Sequence, residues 1–547
     1  MRRILAVILS VAMLLGLAAC NIGNASTDGI EVPSRRDARR AAEREYDMEF
    51  VFDDENISSN GSKAKWVFIS EDGTLEVTVT WKAKDPDDFK FDDREIKKPV
   101  EETEPTDITE VPTPTPAYSD PYYEDGLYMT IGSGPEVINV WSFSADLAAI
   151  ANTYVMLYPD FGEKYTINYY EYETYDGNYQ THLDQALVAG GDNAPDIYAV
   201  EYTFAAKYTQ GDMSAYAAKY TDLGIDVELM IPDAEIAQYS VDVGTRDGDV
   251  VALSYQANSG AMIYRASIAE EVFGTSDPDE ISAIVGGGSG NWDKFLEAAE
   301  TLNDYGYSIV SGVPDIWQAC ATSNTDPWVV NGNDVFIAPE REAYLDVGKI
   351  LYDEGYTNNT KIWYEEWYAD MRDSNCFCFF GPAWFLNYIM IGNCGGYSYG
   401  EGSFGDWRIC VPPVGFFWGG SWLIANKDTD MADGVAELLE WITLDTSDTG
   451  LQYLWANNLL GMGGTDTVVS GVVMDKSYSE MDFLGGQDMF SVYRDCNDLA
   501  TGKGVCQYDE VADLYFANEA DCYFTGEYDK NRTLQEFYDL MYDNVLW

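Results

Sequence analysis

The chain has 547 residues and a formal net charge of −62, which gives ample length for about two or three domains and a large core. Such an excess of acid excludes nucleic acid as a partner, which needs a net basic surface, and sets the protein body against lying flat on anionic lipid. His182 is the single histidine, so a histidine-based triad has little footing and a zinc site has too few ligands.

The N-terminus reads Met1-Arg-Arg, an apolar run from Ile4 to Leu17, then Leu17-Ala-Ala-Cys20. A charged start, a short apolar segment and small residues before the cut make residues 1–20 an export signal. The apolar run is shorter than the roughly 20 residues that span a bilayer. Leu-Ala-Ala-Cys resembles the bacterial lipobox, which implies that Cys20 is lipidated and becomes the first residue of the mature chain. The expected location is the outer face of the bacterial cytoplasmic membrane, with the lipid as the only membrane contact.

Residues 21–96 read as a spacer carrying a small β module. Trp66 and Phe68 alternate with polar residues, and Glu71-Asp-Gly73 supplies a turn. Leu75, Val77, Val79 and Trp81 then alternate with Glu76, Thr78 and Thr80, the pattern of a hairpin, with Phe50 and Phe52 on a third strand. Residues 97–135 are acidic and proline-rich around Val111-Pro-Thr-Pro-Thr-Pro116, a composition that favours an extended, semi-rigid linker.

The main domain is expected over 136–547. Val137-Ile-Asn-Val-Trp141 is a short apolar run of strand type. Ser144 is a candidate N-cap, and Leu147, Ile150, Ala151, Tyr154 and Leu157 recur at helical spacing until Pro159. A second strand over 165–172 precedes a helix with Tyr179, Leu183, Ala186 and Leu187 inward. Gly190-Gly191 closes it, and Ile197–Val200 forms a third strand. Strands alternating with helices of this length predict an α/β fold with a parallel sheet and right-handed crossovers. Ligands of such sheets sit beyond the carboxyl ends of the strands.

The segment Leu187-Val-Ala-Gly-Gly-Asp-Asn-Ala-Pro-Asp-Ile197 resembles a stretch of the extracellular solute-binding proteins of ABC importers, in particular their sugar-binding group. Further matches follow in order: Trp292, Asp293 and Phe295 on a helix, Gly381-Pro-Ala-Trp384 after the strand Cys376–Phe380, and Gly419-Gly-Ser-Trp-Leu-Ile-Ala425. Ser254-Tyr255 and Tyr264-Arg265 depart from the family pattern at the first crossing between lobes. The resemblance implies a two-lobed, periplasmic-binding-protein-like fold with a hinge, and a monomer that closes on a carbohydrate and hands it to the permease subunits of an ABC transporter. By topology and by matching segments, the expected ligand contacts are Phe143 and Ser144 after the first strand, Glu201 and Tyr202 after the third, Tyr255 and Gln256 at the crossing, and Trp384 and Trp422. Aromatic plates and carboxylates suit sugars, which present flat C–H faces and hydroxyl groups. Trp317, Trp328, Trp363, Trp367 and Trp418 belong to the same tryptophan-rich half of the chain.

No cofactor, metal or catalytic group is expected. Glu365-Glu366 is no more than one acidic pair among many, and no Gly-x-Ser-x-Gly elbow occurs. Eight cysteines besides Cys20 permit either bridges or buried thiols. The rival readings are the same fold with a peptide or polyamine ligand, and a surface lipoprotein that degrades or adheres to glycans. Anchoring is directly testable: Cys20→Ala should leave the protein uncleaved or shed and without diacylglycerol. Equal mass and equal membrane retention for variant and parent would refute it.

Overall fold

The computed structural model describes residues 50–57, 63–70, 75–82, 85–95 and 127–546, apart from 175–176, 374, 461–466 and 478. The export signal, Cys20 and most of the proline-rich stretch lie outside the described residues. The chain divides into two compact units, one within residues 18–120 and one from 121 to the C-terminus.

The smaller unit is an antiparallel meander of β1 (Phe50–Ile57), β2 (Lys63–Ser70), β3 (Leu75–Lys82) and β4 (Asp85–Glu95), in the order β1-β2-β3-β4. Val77, Val79 and Trp81 are buried while Thr78 and Thr80 stay partly exposed, the alternation a one-sided sheet requires. The expected three strands gain a fourth. β4 has only Phe89 and Phe91 to mark a period of two among its acidic residues.

In the larger unit, β5 (Leu127–Gly132) falls within the 97–135 stretch expected to be linker and instead pairs antiparallel with β7 (Tyr165–Glu171) at the edge of the main sheet. Between them in sequence lie β6 (Glu136–Ser142) and α1 (Asp146–Leu157). The chain turns from β5 into β6 at Gly132, whose φ is +84°, and Gly134, where a Cβ would lie 2.0 Å from the Lys164 carbonyl carbon. Such close backbone approach leaves room for glycine alone. Next come α2 (Asn178–Ala189), β8 (Ile197–Glu201) and α3 (Tyr202–Thr209). β9 (Ala252–Ser254) and β14 (Ser421–Ala425) complete the first sheet, in the order β9-β14-β8-β6-β7-β5, with β6 parallel to β7 and β8.

The second lobe holds β10 (Ala261–Arg265), α4 (Asp293–Asp304), β11 (Ser308–Val310), α5 (Pro339–Asp353), α6 (Glu365–Arg372), β12 (Cys376–Gly381) and β13 (Trp407–Cys410). Its sheet runs β11-β12-β10-β13. α7 (Ala432–Thr443) returns to the first lobe, where Gly434 lets it approach Ile138 and Tyr165 closely. α8 (Met489–Leu499) packs beside the crossing segments, and α9 (Asp509–Phe524) and α10 (Lys530–Asn544) cover α5 in the second lobe.

The chain crosses between lobes at 255–260 and again at 411–420, and the two crossings pair with each other. Trp418 N donates to Asn258 O at 2.9 Å and Gly260 N to Phe416 O at 2.9 Å. Gly260 has no alternative there, since a Cβ would lie 1.9 Å from the Phe416 ring. Cys320, Cys376, Cys378, Cys394, Cys410, Cys496 and Cys506 are free thiols; those on β12 and β13 are deep in apolar packing, where burial pushes their pKa well up.

Two expectations are corrected here. Ser144 does not cap α1: Ala145 occupies that position, and the Ser144 hydroxyl donates to Asp146 instead. Trp422 is not at the cleft. It has no exposed surface, its indole N–H donates to Ser240 O at 2.8 Å, and its neighbours on the sheet are Val200 and Ser254. The glycine-led strand that contains it runs through the first lobe's core rather than along its rim. Trp422→Ala should therefore cost ~3–5 kcal/mol of stability, read as a fall in melting temperature with or without ligand; an unchanged melting temperature would return Trp422 to the cleft.

Candidate functional site

The parallel strands of the first sheet end level with one another. Trp141 pairs with Tyr198, Ser142 with Glu171, and Ser421 with Glu201, so the carboxyl ends of β6, β7 and β8 present Ser142, Glu171 and Glu201 along one rim. The strand-then-helix pattern forces this, because each crossover helix must start from the same edge of the sheet.

At the β8 end, Glu201 is the N-cap of α3. Its Oε2 accepts from Thr203 N at 2.9 Å and from the Thr203 hydroxyl at 2.6 Å, satisfying a helix donor that would otherwise be orphaned. Glu201 and Tyr202 open onto a cavity of about 210 Å³. From the first lobe Thr174, Gln180, Thr203 and Phe204 also line it; across from them stand Trp418 of the return crossing and Glu510, Val511, Asp513 and Leu514 of α9. The lobes touch at its margins, where Tyr202 Oη donates to Gln318 Oε1 at 3.1 Å and Gln180 Nε2 to Glu510 Oε2 at 3.2 Å.

The aromatic wall is built outward from Trp418. Trp384 lies edge-on to it with ring centres 5.0 Å apart, and its indole N–H donates to Trp418 O at 2.9 Å. Trp363 lies 5.9 Å from Trp418 and 5.1 Å from Trp367. Trp363 has φ +72°, a left-handed conformation that costs a bulky residue on the order of 1–3 kcal/mol. Its indole nitrogen is buried without a hydrogen-bond partner among the described residues.

Of the eight expected contacts, Glu201 and Tyr202 line the cavity, and Trp384 stands one layer behind it, holding Trp418. Phe143 is buried edge-on against Phe204, which lines the cavity, and against Tyr179. Ser144 and Tyr255 belong to a neighbouring network on Asp146: Tyr255 Oη donates to Asp146 Oδ2 at 2.8 Å and stacks on Trp455, and Tyr169 Oη donates to Ser144 O. Gln256 is half-buried on the crossing and pairs with Val468. Trp418, Glu510 and Asp513 were absent from the expected set. Trp418 was legible in principle, since it lies inside the return crossing; the α9 carboxylates carry no local signal.

Burial dominates the titration of these carboxyl groups. Desolvation raises Glu201 to about 7 against the helix-capping bonds from Thr203. It raises Glu171 to about 7, helped by Asp146 and Glu173, with one Glu171 oxygen left without a partner among the described residues. Asp315, which accepts from Trp367 Nε1 at 2.7 Å, also rises to about 7 by burial. Asp513 accepts from Trp328 Nε1 at 2.7 Å; burial and then neighbouring Asp509 raise it, against the pull of Arg341. No group of histidine, cysteine, aspartate and glutamate among the described residues is arranged to hold a metal ion.

Comparison with known proteins agrees with this geometry. Residues 159–459 match the family of bacterial extracellular solute-binding proteins, and the chain belongs to that family. No curated protein sequence matches the chain. The fold is that of a solved extracellular solute-binding protein of family 1, at TM-score 0.61 and 14% identity over 74% of this chain and 98% of that one. It is shared with the galacto-N-biose/lacto-N-biose I-binding protein of Bifidobacterium longum in complex with lacto-N-biose, at TM-score 0.53 and 15% identity over 76% and 98%. The sugar-binding protein MalE of Xanthomonas citri is similar at TM-score 0.56 and 12% identity over 73% and 95%. The two-lobed α/β fold expected from the resemblance is thus the observed one. No helix among the described residues is long and apolar enough to cross a membrane.

These carboxyl groups set a pH dependence with a definite sign. Their folded values lie above the ordinary 3.8 and 4.5, so between roughly pH 4 and 7 the folded form keeps protons that the unfolded chain has released. The stabilisation is complete below that window and is lost as pH rises through about 7. Melting temperature should be higher at pH 5 than at pH 8, and Glu201→Gln should flatten the slope, separating it from the general relief of acidic repulsion. A slope unchanged by the substitution would show that Glu201 ionises freely.

Proposed function

We propose that this protein is the receptor of an ABC importer for a carbohydrate, held at the outer face of the cytoplasmic membrane through lipid on Cys20 and delivering its sugar to the permease subunits. The observation that carries the reading is the cavity wall: Trp418, braced by Trp384 and Trp363, faces Glu201 and Tyr202 across about 210 Å³. A ring to stack on a sugar's C–H face, opposite oxygens that bond its hydroxyls, is the pairing such a ligand requires. Glu201 and Tyr202 belong to the first lobe and the α9 side of the cavity to the second, so a sugar touches both only when they are closed. That difference in contact between closed and open forms is what lets binding shift the equilibrium and signal occupancy.

The test is a thermal-shift screen over a glycan panel, followed by affinity measurements on variants. Truncating Trp418 to alanine should weaken sugar binding about tenfold or more, given ~1 kcal/mol or more from stacking beyond area burial, and truncating Trp384, which holds Trp418 in place, should weaken it in the same direction. Stability lost with affinity of the folded fraction unchanged would mean both rings are core. Conversion of a glycan to products, rather than reversible binding, would favour a degradative lipoprotein.

A further inference from the structure

The cavity is lined by Glu201, Glu510 and Asp513, and no lysine, arginine or histidine joins them. Among the described residues Glu201 and Glu510 form no ion pair. Arg341 acts on Asp513 by charge but is held by other groups. Its guanidinium lies 4.2 Å from the Trp328 ring centre and donates to Asp326 O at 2.8 Å and Gly504 O at 3.2 Å. Its charge is shared between Asp509 and Asp513, the latter on the cavity wall. Lys207 of α3 is paired with Asp184 of α2 at 2.6 Å. Cys506 donates to Asp509 and adds no positive charge. Three carboxylates from both lobes therefore meet around one space, and the one guanidinium that reaches any of them is shared by Asp513 with Asp509.

Closing on a neutral sugar leaves that imbalance inside a desolvated cavity. Hydroxyl groups can satisfy the carboxylate lone pairs, but they supply no charge. An ammonium supplies both, and its bonds to carboxylates are the stronger, charge-assisted kind. Gln180 and Thr174 remain to bond the hydroxyls, and Trp418 to take a ring face.

We propose that the cleft selects a sugar carrying a free primary amine, held as its ammonium between Glu201, Glu510 and Asp513. This rests on the carbohydrate reading of the same cleft and narrows it.

Isothermal titration of the full chain tests it with matched sets: hexosamines and their short β-linked oligomers, each beside its N-acetylated form and its hydroxyl parent, with spermidine as an amine without a sugar. The expected result is an amino sugar binding at least tenfold tighter than both matched neutral forms, with protons released at about pH 6.5 as the carboxyl groups ionise around the cation. Glu510→Gln, at the cavity margin, should cut that preference several-fold, and Glu201→Gln, which keeps an oxygen to cap α3, should cut it further. A neutral or acetylated sugar binding as tightly as its amine overturns the inference and leaves the carbohydrate reading standing. Spermidine binding where no sugar binds overturns both. Silence across the panel also overturns the amine assignment.

Discussion

The pairing of the two interlobe crossings is the constraint on which the remainder of the large unit depends. Each crossing alone would be a short flexible strap. Joined by the Trp418–Asn258 and Gly260–Phe416 backbone hydrogen bonds, they form a ribbon that limits how the lobes can move. The pairing needs a residue without a side chain at 260, because the Phe416 ring fills that space. It also fixes where Trp418 points, since the residue lies in the ribbon itself. The hinge and one wall of the cavity are therefore the same piece of backbone, and a ligand that seats on Trp418 acts on the element that sets lobe position.

The cavity's electrostatics follow from its place between lobes. A carboxyl group at the end of a parallel strand ordinarily faces water. Glu201 does not, because α9 and Trp418 close over it, and desolvation then outweighs the hydrogen bonds that favour its charged form. The same holds for Asp513 from the opposite side. Like charges brought together with Arg341 as the one counter-ion described among them are a latent cost of closure, and a ligand that relieves it gains affinity for the closed form specifically.

The candidate site was legible to the extent that topology alone could place it. Glu201 and Tyr202 stand at the carboxyl end of a parallel strand, where the rule for such sheets points, and both line the cavity. Ser144 and Tyr255 obey the same rule, yet they converge on Asp146 in a network of their own, because which rim positions share a cavity depends on what the other lobe covers. Among the tryptophans, sequence offered Trp384 and Trp422 on equal terms. Packing separates them: Trp384 braces Trp418 at the cleft wall, whereas Trp422 points from β14 toward Ser240 in the first lobe's interior.

By itself the amino-acid sequence determined the alternation of strands and helices, the crossings, and the family, because those rest on local periodicity and on short segments whose residues are neighbours in the chain. It also marked the one-sided β module, though not the fourth strand, whose acidic residues obscure its period, nor β5, a six-residue strand that follows directly on an acidic, proline-rich run. Only the tertiary structure decided which residues meet. The helix Asp509–Phe524 lies some 300 residues beyond Glu201 in the chain, and nothing in its composition shows that Glu510 and Asp513 close a cavity with Glu201. Burial, and the pKa shifts that come with it, are properties of surfaces brought together from distant parts of the chain, so the chemistry of the cleft had to await the fold.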